Sequence, residues 1–180
     1  MKSIDLYRDA LDFAYQAHHG QKMPASELPY FLHISEVMTE TLMAFQETKE
    51  KNLNQTLAVL VAILHDTIED TDTKLEEIEK KYGTEVKNGV WAMTKDENLL
   101  KEEQMKDSLE KLLHSPKEIQ FVKLADRIVN LKTPPAHWAA VRTRKYCDES
   151  KLILSKLGKA NAYLARRLEE KIKNYEQFLK

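Results

Sequence analysis

Four ionisable residues, His65, Asp66, Glu69 and Asp70, directly follow an apolar run from Ala58 to Leu64. The run predicts one buried helix that continues to Asp70, and about 3.6 residues per turn would place His65 one turn from Glu69, and Asp66 one turn from Asp70. Three carboxylates and an imidazole on one arc repel each other unless a cation lies among them. The cluster therefore predicts a metal site, with a merely solvated acidic helix end as the alternative.

A second polar surface is predicted on a helix over residues 117–132. Its apolar residues fall on one face, and four polar residues fall close together elsewhere on it: Lys123, Asp126, Asn130 and Thr133. This stripe is the second candidate surface for chemistry.

The composition predicts an all-α protein with a single domain over residues 1–180. The chain has only 4 glycines and 5 prolines, too few for a turn-rich β architecture. Its formal net charge is -1, which gives no indication of a nucleic-acid or membrane-surface partner. The single cysteine, Cys147, excludes an internal disulfide and a cysteine zinc cluster. We expect a cytoplasmic protein, because no apolar run approaches the roughly 18 residues that span a bilayer.

Local signals predict where the other helices begin and end. Apolar spacing predicts helices over residues 4–17, 35–49, 85–94 and 97–114. One or two more would run from residue 149 to the end, interrupted near Gly158. Helix starts are predicted from a capping box at Thr73 and Glu76, and from Ser115 followed by Pro116.

Several short motifs resemble those of a known family. They are AHHGQ at 17–21, PYFLH at 29–33, HDTIEDT at 65–71 and KLADR at 123–127 followed by Asn130. In this pattern the chain resembles the HD-domain metal-dependent phosphohydrolases, and among them the (p)ppGpp hydrolase domain of the RelA/SpoT proteins. The likeness extends from about residue 5 to the C-terminus and implies a single HD-type helical bundle with a central buried metal site.

The resemblance implies that His33, His65, Asp66 and Asp126 bind one divalent ion. Mn²⁺ is the usual ion of the family, and two imidazoles with two carboxylates also suit Fe²⁺ or Zn²⁺. Glu69 and Asp70 would then be catalytic: they would orient or deprotonate the attacking water and help to protonate the leaving group.

The implied reaction is removal of the 3′-pyrophosphate from a (p)ppGpp-like nucleotide by a metal-activated water, in a small stand-alone hydrolase. The predicted substrate-binding residues are Lys22, Lys123, Arg127, Asn130 and Thr133. For Arg127 a structural ion pair is an equally good interpretation. For His18, in the first motif, a hydrogen-bonded structural role is favoured.

The loop after the first motif departs from the family pattern. Met23 occupies the position where the family usually has an arginine that packs on the guanine base, and the glycine of the family's turn is absent. Methionine lacks the planar cation and its donors. Two alternatives therefore remain: a phosphatase or pyrophosphatase for another nucleotide or phosphorylated metabolite, and a non-catalytic metal or nucleotide sensor.

Overall fold

The computed structural model describes residues 2–24 and 26–179, and most of this length is helical. Within these residues there is no β-strand, and the α-helices are α1 (Ser3–Ala17), α2 (Phe31–Glu47), α3 (Gln55–Leu64), α4 (Thr67–Asp70), α5 (Leu75–Tyr82), α6 (Thr84–Met93), α7 (Lys101–Leu113), α8 (Lys117–Asn130), α9 (Ala140–Leu157) and α10 (Ala162–Tyr175). Short 3-10 helices, Gly158–Ala160 and Glu176–Phe178, follow α9 and α10. The all-α prediction is confirmed.

Helix α3 lies at the centre and packs against α1, α2, α6 and α8. Every residue from Leu57 to Leu64 is buried. Burying one aliphatic side chain of this size contributes about 1.5–3 kcal/mol, so this helix dominates the core. Asn54 begins it, because its Oδ1 accepts a hydrogen bond from the backbone N–H of Leu57 at 3.0 Å.

Helix α8 is the second central element and packs against α2, α3, α9 and α10. Its buried side chains include the polar residues Lys123, Asp126 and Arg127. Buried charged groups need partners to offset their lost hydration. The partners of these three side chains lie at or beside the predicted metal site.

The single continuous helix predicted up to Asp70 is wrong. The chain leaves the helix after Leu64, and α4 begins at Thr67. Side chains replace the missing backbone hydrogen bonds at this break: His65 Nδ1 lies 2.9 Å from the carbonyl oxygen of Ala62, and the Thr67 hydroxyl donates to that of Leu64 at 2.7 Å.

Two predicted helix starts and one predicted helix cap are also wrong. Helix α2 begins at Phe31, and the Ser35 hydroxyl donates to the Phe31 carbonyl at 2.9 Å inside the helix. The capping contact of α5 lies one residue later than predicted, because the Lys74 N–H donates to Glu77 at 3.0 Å. Helix α8 begins at Lys117 as predicted, but Ser115 does not cap it, because the Ser115 hydroxyl donates to the carbonyl oxygen of Lys111 in α7 at 2.8 Å.

The last helices begin earlier than predicted, since α9 starts at Ala140 and not at residue 149. The first turns of α9 are largely exposed, so they carry little apolar periodicity. The interruption near Gly158 is confirmed. None of the helices in the described part of the chain is both long and apolar enough to cross a membrane.

Candidate metal centre and adjoining cavity

Four donor atoms from three segments meet beside α3. The shortest distance joins His65 Nε2 and Asp66 Oδ2, at 2.9 Å. His33 Nε2 of α2 lies 3.3 Å from each of these two atoms. Asp126 Oδ1 of α8 completes the group, 3.6 Å from His33 Nε2 and 3.9 Å from His65 Nε2. The structure therefore brings together all four residues that the sequence analysis proposes as ligands.

The hydrogen bonds around these donors suit a cation. His65 Nδ1 contacts the carbonyl oxygen of Ala62, so Nδ1 carries a proton and Nε2 is the ring atom that faces the other donors. Burial would lower the pKa of His65, but the charges of Asp66 and Asp126 raise it to about 9. The negative charges of Asp66 and Asp126 hold the additional proton on His65. A divalent ion would neutralise the same charges, so the donor set fits a divalent metal.

Two neighbours on α8 hold the Asp126 carboxylate. Asn130 Nδ2 donates to its Oδ1 at 2.5 Å, and Lys123 Nζ donates to its Oδ2 at 3.1 Å. Burial would raise the pKa of Asp126, but the Lys123 ammonium lowers it below its usual value. Both neighbours are predicted substrate-binding residues, and in this structure both contact Asp126.

The predicted catalytic residues Glu69 and Asp70 lie on α4, directly after the break. Lys95 donates to Glu69 twice, from its backbone N–H at 3.2 Å and from Nζ at 2.7 Å. Asp70 is exposed, but partial desolvation of its carboxyl and the nearby charge of Asp66 raise its pKa. No helical spacing links Lys95 to Glu69 along the chain, so the sequence predicts no role for Lys95.

Tyr30 is the other functional contact without a predicted role. Its hydroxyl donates to Asp66 Oδ2 at 2.5 Å. Its ring stacks on that of His18, with centroids 4.9 Å apart and planes inclined by 26°. His18 is 4% exposed, and its Nδ1 lies 2.6 Å from Gln21 Oε1. The position of Tyr30 three residues before His33 is the one sequence signal that could have drawn attention to it.

A cavity of about 580 Å³ reaches the donors through Asn130, which lines the cavity and contacts Asp126. Its lining also includes Met23 and Thr133. Four cationic residues and one acidic residue contribute charged side chains: Lys101, Lys132, Arg142, Lys145 and Glu149. Three aromatic residues complete the wall, Trp138, Tyr146 and Tyr175, and the Arg142 guanidinium lies 4.2 Å from the centroid of the Trp138 ring. This excess of cations suits a ligand with several negative charges.

The two remaining predicted substrate-binding residues lie apart from the donors. Arg127 is buried between α8 and α9, where its guanidinium lies 4.3 Å from the Tyr146 ring and Nη1 lies 3.4 Å from Ser150 Oγ. Lys22 is largely exposed and pairs with Glu27. Neither residue touches the four donors, so a direct role in substrate binding stays a prediction for both.

The HD domain family model matches residues 10–163 of this chain. Two curated relatives are similar over nearly their whole length. The guanosine-3′,5′-bis(diphosphate) 3′-pyrophosphohydrolase MESH1 of Mus musculus is 31% identical over 170 residues, which cover 90% of both chains. MESH1 of Homo sapiens is 31% identical over 174 residues, which cover 92% of this chain and 90% of the relative.

A solved structure has the same fold. It is described as a metazoan ortholog of SpoT that hydrolyzes ppGpp and plays a role in starvation responses. The TM-score is 0.81 at 29% identity, with 93% of this chain and 94% of that chain covered. The likeness in fold therefore extends over nearly the whole length of both chains.

Proposed function

The chain belongs to the HD-domain family, together with the MESH1 pyrophosphohydrolases, and from this premise we propose that it removes pyrophosphate from the 3′ position of (p)ppGpp-like nucleotides. The observation that carries the proposal is the convergence of His33, His65, Asp66 and Asp126 beside a cavity lined by cations. Phosphate groups need compensating positive charge, and a buried group of imidazoles and carboxylates is suited to a metal ion.

We propose that these four residues hold one Mn²⁺ ion, with Fe²⁺ or Zn²⁺ as alternatives. Their nitrogen and oxygen donors suit each of these ions. A divalent ion bound there would lower the pKa of a coordinated water and offset the negative charge of the phosphate under attack. Tyr30, Lys123 and Asn130 orient the two carboxylates through the hydrogen bonds described above.

Glu69 and Asp70 then transfer the protons of the reaction. Glu69, oriented by Lys95, takes the proton of the attacking water. Asp70, whose pKa is raised, gives a proton to the 3′ oxygen as its bond to phosphorus breaks. One proton is taken up and one is given, and the products are pyrophosphate and a nucleotide with a free 3′-hydroxyl.

The adjoining cavity takes the nucleotide. Asn130 and Thr133 line it next to the donors, and Lys101, Arg142 and Lys145 supply positive charge for further phosphates. For Lys123 and Arg127 the contacts with Asp126 and Tyr146 support an indirect contribution. The exposed ammonium of Lys22 would leave Glu27 to reach a bound phosphate.

Met23 favours a second candidate substrate. It lines the cavity where related enzymes usually have an arginine, and a thioether offers no hydrogen-bond donor to a guanine base. The alternative is therefore a phosphohydrolase of the same mechanism that acts on another nucleotide.

A substrate screen with Mn²⁺-reconstituted protein tests these proposals. We expect GDP and pyrophosphate from ppGpp, and the corresponding 3′-hydrolysis of pppGpp. Hydrolysis of another nucleotide with ppGpp left intact would reject ppGpp as the substrate and support the second candidate substrate. Tight nucleotide binding without any turnover would reject the proposal that the protein is an enzyme and favour a sensor.

We also propose a cytoplasmic location. The single cysteine, Cys147, is buried and free, which suits a reducing compartment. One domain over residues 1–180 stays a prediction.

A further inference from the structure

The loop between α1 and α2 ends at Tyr30, and the hydroxyl of Tyr30 reaches the metal centre. It donates to Asp66 Oδ2 at 2.5 Å, and the same oxygen faces His65 Nε2 at 2.9 Å. Asp66 lies in the break between α3 and α4, with φ -99° and ψ -3°.

Tyr30 is itself fixed by its neighbours. Its ring stacks on His18 and lies 5.2 Å from the ring of His33, measured between centroids. The buried His18 ring contacts Gln21 Oε1 through Nδ1 at 2.6 Å. The carbonyl of Gln21 in turn accepts a hydrogen bond from the Tyr30 N–H at 2.9 Å. His18, Gln21 and His33 thus restrain the position of the Tyr30 hydroxyl.

The same loop forms part of the nucleotide cavity. Its two arms pair where the Met23 N–H donates to the Leu28 carbonyl at 2.9 Å, and Met23 and Pro24 line the cavity. The wall of the cavity and the orientation of Asp66 therefore depend on one connected set of contacts that ends at Tyr30.

We propose that Tyr30 is a positioning residue that holds Asp66 in its metal-binding orientation, and that His18 and Gln21 keep Tyr30 in place. The inference rests on the proposed function, because it takes the four donors as a metal site. The inference adds Tyr30 as a residue that joins this metal site to the loop between α1 and α2. Removing an outer hydrogen-bond partner of a metal ligand typically weakens metal binding by about 10–100-fold.

The test is the Mn²⁺ affinity of metal-free protein, measured from the paramagnetic resonance signal of free Mn²⁺. Tyr30→Phe removes one hydroxyl and keeps the ring. Tyr15→Phe is the matched control, because Tyr15 is 47% exposed and packs edge-on against Phe31. We expect the control to bind like the wild type and Tyr30→Phe to bind about 10–100-fold more weakly. Circular dichroism verifies that both variants are folded.

A second variant tests the support of Tyr30. His18→Phe keeps a ring for stacking and removes the contact with Gln21, so we expect a smaller loss of affinity in the same direction. Tyr30→Phe with an affinity within about twofold of the wild type would overturn the inference. If Tyr30→Phe does not fold, an unchanged affinity in folded His18→Phe would overturn it instead. A wild type that binds none of Mn²⁺, Fe²⁺ and Zn²⁺ would reject the metal site of the proposed function itself, so the two failures are distinguishable.

Discussion

At the scale of single residues, Glu69 and Asp70 have different surroundings, although they are adjacent on α4. The Lys95 ammonium and backbone N–H both donate to Glu69, which fixes its carboxylate. The pKa of Asp70 is raised by partial desolvation of its carboxyl and by the charge of Asp66. A fixed base beside an acid with a raised pKa is the arrangement that general acid–base catalysis requires.

Glu69→Gln and Asp70→Asn are therefore expected to lower kcat by about 10²–10⁴-fold each. Their Mn²⁺ affinity should stay close to that of the wild type, because neither residue is one of the four donors. Initial rates of pyrophosphate release and Mn²⁺ titration of the same preparations check both statements. Glu76→Gln, at an exposed carboxylate of α5, is the matched control. A variant of Glu69 or Asp70 with wild-type kcat would remove that residue from the mechanism.

The sequence predicts the donors of the site better than the residues that orient them. His65 and Asp66 stand out because they follow an apolar run, and Asp126 lies in a polar stripe of a predicted helix. No spacing links Tyr30 to Asp66 or Lys95 to Glu69, although Tyr30 lies in the PYFLH motif, because each of the two contacts its carboxylate across a long stretch of chain. A hydrogen bond of this kind depends on how the helices pack, which local spacing does not encode.

At the scale of helices, α6 approaches α3 and α8 closely at Gly89. A Cβ atom there would lie 2.6 Å from Val61 Cγ2 and 2.8 Å from Ile119 Cδ1. Neither neighbour can withdraw easily, because both belong to the core. The glycine therefore allows three helices to pack at the centre of the molecule.

Gly89→Ala is expected to destabilise the protein by about 1–3 kcal/mol, because overpacking of the core outweighs the better helix propensity of alanine. The free energy of unfolding in urea measures this. Gly158→Ala is the matched control, since its Cβ would meet no atom closer than Leu154 Cδ1 at 3.2 Å. Equal stability of Gly89→Ala and the wild type would contradict the close packing.

Helices α1 and α5 are joined by a hydrogen bond from the Tyr82 hydroxyl to Asp9 Oδ2, at 2.7 Å. This bond lowers the pKa of Asp9, so its stabilisation is present above the unfolded value of about 3.9 and is lost as the pH falls below it. Because Asp9 is half exposed, we expect about 1 kcal/mol at most. Urea unfolding should show Tyr82→Phe less stable than the wild type at neutral pH, and a smaller difference near pH 3. A pH-independent difference would contradict this role.

Helix content was predictable from composition and apolar spacing, but several helix ends were not. Side chains decide these ends by competing for backbone groups: His65 and Thr67 end α3, and Ser35 bonds back inside α2. The same residue types that signal a helix start in sequence can bond a carbonyl one turn earlier. Which bond forms depends on tertiary packing.

At the scale of the whole molecule, the four donors come from α2, the break after α3, and α8, so a bound ion would join three segments that are distant in sequence. Binding to the folded state alone stabilises it, by about 2.7 kcal/mol at a free-ion concentration of 100 Kd. We expect Mn²⁺ to raise the free energy of unfolding by about this amount over protein in chelator. Asp126→Asn should lose most of this gain, and an equal gain in that variant would contradict the assigned donors.

The central claim is that one divalent ion at these four donors supports hydrolysis of ppGpp. The most direct test titrates metal-free protein with Mn²⁺ and follows pyrophosphate release from ppGpp. We predict that the rate rises to a plateau at about one ion per chain, and that Asp126→Asn stays inactive at the same ion concentrations. No pyrophosphate release at any Mn²⁺ concentration, or a rate independent of added metal, would contradict the account.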